Sequence, residues 1–232
     1  MTPKPGSGVS QKTAILFDFG GTLDSDGLPW KTRVARLFEE AGIPAREGFD
    51  PLFYAADDAL VGAVDTDLPF RDTVDRLVLP LGQALGASSG VAAGVAARFT
   101  DATLDRLRAR APLLTGLSRR YRLGIVSNFY GNLTRVCDDA GIRSFFDALV
   151  DSAEVGWTKP DPRIFQRALG ALGVSASAAT FIGDSLPRDM AGARAVGMRH
   201  IWLAGAEPSA DGPCCRGDRQ IRSLRELEAI LL

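Results

Sequence analysis

The sequence predicts an α/β protein: a Rossmann-like parallel-sheet core into which an all-helical segment is inserted. Three observations predict it. A short apolar run, Ala14–Phe17, leads into Asp18 and the turn residues Gly20 and Gly21, the pattern of a buried parallel strand with a loop at its carboxyl end. From Leu113 onward, strand and helix patterns alternate, as in a doubly wound sheet. Between these parts apolar residues recur at helical spacing, and no strand alternation interrupts them.

Residues 1–12 carry Pro, Gly, Ser and Lys without periodicity and read as a flexible tail. The core is then 13–24 together with 112–232, and the insert is 25–111. In the insert, Val34, Leu37, Phe38 and Ala41 share one helix face before Gly42 and Pro44 end it. Val74, Leu77, Val78, Leu81 and Leu85 form a second stripe, which Pro80 should bend or shorten. Val91, Val95, Phe99 and Ala102 form a third. In the core, strands are expected over 122–128, 146–151, 180–184 and 200–203, with helices over 131–140, 161–172, 188–196 and 224–231. Glycines follow two of these helices, at Gly141 and Gly197.

Composition limits the partners. The 232 residues are 46% hydrophobic and 24% charged, with a formal net charge of -1. A chain without a basic field is not built to collect nucleic acid or anionic membrane. No apolar run spans a bilayer and no secretory h-region follows Met1. Cys137 and the adjacent Cys214 and Cys215 make neither a disulfide framework nor a zinc-ligand spacing. The expectation is a cytoplasmic protein; oligomeric state is not readable.

The polar residues carry the function. The predicted strands end on, or just before, Asp18, Ser127-Asn128, Lys159 and Asp184. A parallel sheet brings its carboxyl ends to one edge, where ligands bind. Two carboxylates, a hydroxyl and an ammonium around one crevice suit a phosphate bound beside a hard cation such as Mg²⁺.

These residues resemble the four ordered motifs of the haloacid dehalogenase (HAD) superfamily. Asp18-x-x-x-Thr22 is similar to the first, Ser127-Asn128 to the second and Lys159-Pro160 to the third. Gly183-Asp184-Ser185 with Asp189 is similar to the fourth. The helical insert resembles the family's C1 cap. The resemblance implies Asp18 as nucleophile, with Ser127 and Lys159 as catalytic partners. It implies Mg²⁺ held by Asp18, the Gly20 carbonyl and Asp184. Gly21, Thr22 and Asn128 would bind substrate, Asp189 and Ser185 would support the site, and Arg188 would line it. The substrate expected is a small phosphorylated metabolite.

One position departs from the pattern. Phosphatases of this family carry a second Asp two residues after the nucleophile, to protonate the leaving oxygen; here Gly20 stands there. Losing general acid–base help is worth roughly 10²–10⁴ in rate, so good leaving groups such as aryl or acyl phosphates should be favoured. Asp24 and Asp26 are the nearest substitutes in sequence. Metal-independent haloacid dehalogenase chemistry, a phosphonatase using Lys31, and a non-catalytic phosphate or partner binder are the alternatives. His200 reads as structural, and Trp30, next to the hinge of the insert, as core packing or a substrate contact.

Overall fold

The computed structural model describes residues 13–44, 48–205 and 219–232. The stretch 1–12 read as a tail, and the Cys214-Cys215 pair, lie outside the described residues. Six parallel strands form one sheet in the order β3-β2-β1-β4-β5-β6. They are β1 (Ala14–Phe17), β2 (Arg122–Ser127), β3 (Ala148–Asp151), β4 (Ala179–Gly183), β5 (Arg199–Leu203) and β6 (Arg219–Ile221). The order reverses between β1 and β4, so the crevice favoured for ligands opens beside Asp18. Phe17 pairs with both Ile125 and Ile182, and the Asp18 N–H donates to the Ile182 carbonyl at 2.9 Å.

Alternation along the strands makes two cores. Ile15 and Phe17 of β1 face one side, with Ile125, Ile182 and Ile201. Ala14 and Leu16 face the other. There they meet α8 (Pro162–Leu172) through Ile164, Phe165, Ala168 and Leu172, and α9 (Ala191–Ala195) through Ala193. Asp161 starts α8 by accepting the Arg163 N–H, and Gly173 in a left-handed conformation ends it. The first side is covered by α5 (Ala111–Ser118), α6 (Leu133–Asp139) and α10 (Glu226–Leu231). A single turn, α7 (Ser152–Val155), follows β3.

Between β1 and β2 lie α1 (Trp30–Glu40), α2 (Phe49–Asp58), α3 (Phe70–Ala84) and α4 (Ser89–Ala109). Their apolar faces, with Trp30, Phe38, Phe70, Leu77 and Phe99 buried, are continuous with the first core. Of the two effects expected of Pro80, shortening does not occur: α3 runs through it to Ala84. Pro80 faces solvent, so water can take the carbonyl it leaves without an N–H partner. Four elements, α2, α5, α7 and β6, are not in the sequence reading; α5 occupies the start of the stretch read as alternating core. Among the described residues no helix is long and apolar enough to cross a membrane.

Candidate active site

Three carboxylates converge at the carboxyl edge of β1 and β4. One oxygen each of Asp18, Asp184 and Asp189 lies within 4.8 Å of the others. Asp18 follows β1 directly, Asp184 follows β4, and Asp189 comes from the wide turn Leu186–Met190. Ser185 ties that turn to the strand: its N–H donates to Asp189 Oδ2 at 2.9 Å, and its carbonyl accepts the Asp189 N–H at 2.8 Å. The Trp202 indole N–H donates to the Asp184 carbonyl at 2.9 Å, fixing the fourth motif against β5.

Lys159 bridges the set. Its ammonium lies 2.6 Å from Asp18 Oδ1 and 2.6 Å from Asp189 Oδ1. Burial alone would pull its pKa down; the two carboxylates outweigh that and raise it, so the ammonium stays charged. Asp184 is pushed well above the usual carboxylate range by burial and by the charges of Asp18 and Asp189. Asp189 is raised by burial too, against the pull of Lys159. One cation facing three carboxylates, Asp18 and Asp189 buried and Asp184 half-buried, leaves negative charge uncompensated, which a second cation would relieve.

Hydroxyls complete the wall. Thr22 Oγ1 lies 3.2 Å from Asp18 Oδ2 and 3.4 Å from Asp184 Oδ1. Its single proton serves one carboxylate at a time. Ser127 Oγ is 3.5 Å from Asp18 Oδ1, at the limit of a hydrogen bond. Gly21 is required by geometry: its φ is +93°, and an added Cβ would sit 2.4 Å from Asp184 Oδ2. A partly open space of about 60 Å³ is bounded by Asp18, Gly20, Ser127, Asn128, Lys159 and Arg188 among others. A larger hollow of about 540 Å³, at the amino-terminal edge by Arg199 and Arg219, contains none of the converging carboxylates.

Asn128, expected at the substrate, borders the same small space and also clamps the Lys159 backbone: its Oδ1 accepts the Lys159 N–H at 2.7 Å and its Nδ2 donates to the Lys159 carbonyl at 3.2 Å. Asp24 and Asp26, the nearest substitutes in sequence for the missing acid, are both engaged by other partners. Asp24 is fully buried and accepts from Trp30 Nε1 at 2.6 Å, Arg33 at 2.6 Å and the Gly21 N–H at 2.7 Å. Asp26 pairs with Arg110 at 2.9 Å and caps the Leu224 N–H at 2.8 Å. Lys31 is paired with Asp50 and lies over the Tyr54 ring. The Trp30–Asp24–Arg33 group went unseen in the sequence because its members belong to no shared spacing. Gly20, Gly21 and Ser185 lie where the motif order puts them, beside the carboxylates.

A profile of the haloacid dehalogenase-like hydrolases matches residues 12–197. A phosphoserine phosphatase of Thermus thermophilus is 31% identical over 229 residues, covering 92% of this chain and 90% of that protein. The haloacid dehalogenase-like hydrolase domain-containing protein 3 of Bos taurus is 44% identical over 100 residues, 43% of this chain; the match spans only 40% of that protein. Among solved structures, a HAD phosphatase from Thermococcus onnurineus covers 94% of this chain and 97% of its own, with 25% identity and a TM-score of 0.57. The six-stranded parallel sheet, the order of the motifs along it and the profile match agree: this chain belongs to the haloacid dehalogenase-like hydrolases.

Proposed function

We propose that the chain is a Mg²⁺-dependent phosphohydrolase that works through an aspartyl-phosphate on Asp18, acts on a small phosphorylated metabolite and favours good leaving groups. The observation that carries this reading is the convergence of Asp184 and Asp189 on Asp18, with the Lys159 ammonium against Asp18 and Asp189, beside one small space. An all-oxygen set with excess negative charge fits a hard divalent cation. Asp18, Asp184 and the Gly20 carbonyl would hold it. When bound, Mg²⁺ supplies neutralisation of phosphoryl oxygens and orientation of the group. Relatives named as phosphoserine phosphatase and as glyceraldehyde 3-phosphate phosphatase support a phosphate ester as the substrate class.

The residues of this chain do the rest. A carboxylate oxygen of Asp18 attacks phosphorus, and the bond to the leaving oxygen breaks with its electron pair going to the leaving group. Lys159 holds Asp18 in place and offsets charge on the transferring group; the Ser127 hydroxyl can donate to a phosphoryl oxygen. Water then attacks phosphorus, releasing phosphate and restoring Asp18. With Gly20 unable to deliver a proton and Asp24 and Asp26 engaged by other partners, the leaving oxygen departs as its anion. The test is turnover across phosphate esters of rising leaving-group pKa. A steep fall from p-nitrophenyl and acetyl phosphate to alkyl phosphates is expected. Equal rates across the series would mean that an acid operates after all.

A further inference from the structure

Nothing in the backbone of Gly20 demands glycine. Its φ of -76° and ψ of 120° are open to any residue. The surroundings are restrictive instead. A Cβ on Gly20 would lie 3.3 Å from Trp30 Nε1, so the indole would have to give by a few tenths of an ångström, while its Cδ1 at 3.6 Å would be in ordinary contact. Trp30 is held on several sides. Its indole N–H donates to Asp24 Oδ2, which also receives Arg33. The rings of Phe70, Phe99 and Phe129 pack against it edge-on, with centroids 5.8, 5.1 and 5.8 Å away. The other Asp24 oxygen accepts the Gly21 N–H, so one carboxylate holds both the indole and the loop beside the nucleophile.

We propose that Trp30 is a specificity-determining residue: by occupying the space beside position 20 it keeps the first loop free of a side chain there, and so holds the site to substrates whose leaving group departs unprotonated. The link to the leaving group rests on the phosphohydrolase reading; the packing relation does not. The indole, together with Asp24 and Arg33, therefore makes the missing acid a built feature of this fold rather than a single-residue loss.

A thermal cycle tests the packing. Gly20→Ala, Trp30→Phe and their double variant are compared with Gly94→Ala, whose added Cβ meets nothing within 4 Å. With Trp30 present, Gly20→Ala is expected to lower Tm by about 2–6 °C, whereas Gly94→Ala raises it by about 2–4 °C. In the Trp30→Phe background, Gly20→Ala should become neutral or stabilising. A rise in Tm for Gly20→Ala with Trp30 in place overturns the proposal, and this sign decides even if Trp30→Phe does not fold. A functional arm uses Gly20→Asp. Relative turnover of alkyl over aryl phosphate should rise about tenfold or more only when Trp30→Phe accompanies it. A gain from Gly20→Asp alone overturns the proposal. No gain in either, with the thermal coupling present, overturns the link to the leaving group and counts against the phosphohydrolase reading, while the packing relation stands.

Discussion

The Lys159 ammonium lies 2.6 Å from Asp18 Oδ1, although 141 positions separate the two residues. Both side chains are buried, at 3% and 8% exposure, so neither charge can turn to water if the other is removed. Lys159→Ala is therefore expected to lower Tm and to reduce turnover by roughly 10²–10³-fold, the scale of losing a preorganised charge at the reacting group. Lys159→Arg should recover little, because the wider guanidinium cannot fit between Asp18 and Asp189. Turnover of acetyl phosphate alongside thermal melting checks both; near-native turnover of either variant contradicts the assignment.

Asp24 is expected to behave as a structural carboxylate. Arg33→Met leaves it buried without its cation, at a cost of about 3–5 kcal/mol, or a Tm drop on the order of 10 °C. Asp24→Asn should lower stability but leave the ratio of alkyl to aryl phosphate turnover unchanged. A selective loss on alkyl phosphates would make Asp24 the acid.

Gly21→Ala sets a Cβ against the Asp184 carboxylate on a backbone at positive φ. Mg²⁺ binding, followed by isothermal titration calorimetry, is expected to weaken at least about tenfold. Gly94→Ala is the control and should bind as the native chain does. Unchanged affinity in Gly21→Ala would separate Asp184 from the cation.

Asp57 on α2 receives the Tyr130 hydroxyl from the loop after β2, joining the insert to the core. Burial raises its pKa against the pull of Tyr130; Asp58 adds to the rise and Arg188 opposes it. The folded state therefore favours the protonated carboxyl. Its contribution to stability is full below the ordinary carboxylate range and is lost as pH rises through that range to the raised value. The Tm difference between Asp57→Asn and the native chain should shift in favour of the variant as pH rises above the ordinary carboxylate range. A difference independent of pH would contradict the raised carboxyl.

Much of this was legible because it is local. A buried strand ending on a polar residue before glycine is a signal carried within a few positions, and it located Asp18, Ser127 and Asp184. The helical stripes of α1, α3 and α4 were equally plain, since each spans several turns. The helix α2 was hidden by Gly48 and Pro51 at its start, and β6 is only 3 residues long, too short for alternation to register. The clamp of Asn128 on the Lys159 backbone was not legible, because the two lie 31 positions apart. The partners of Asp24 were not legible either: Trp30 opens α1 and Arg33 lies one turn into it, and their convergence on Asp24 is a product of packing that no spacing rule encodes.

The central claim is that Asp18 attacks phosphorus and carries the phosphoryl group. One turnover of acetyl phosphate in heavy-oxygen water, stopped with acid and followed by peptide mass spectrometry, tests it. The account expects one phosphoryl group on the peptide containing Asp18 and heavy oxygen only in the released phosphate. Heavy oxygen in the Asp18 carboxylate, or turnover that leaves this peptide unmodified at every quench time and persists in Asp18→Asn, would contradict it.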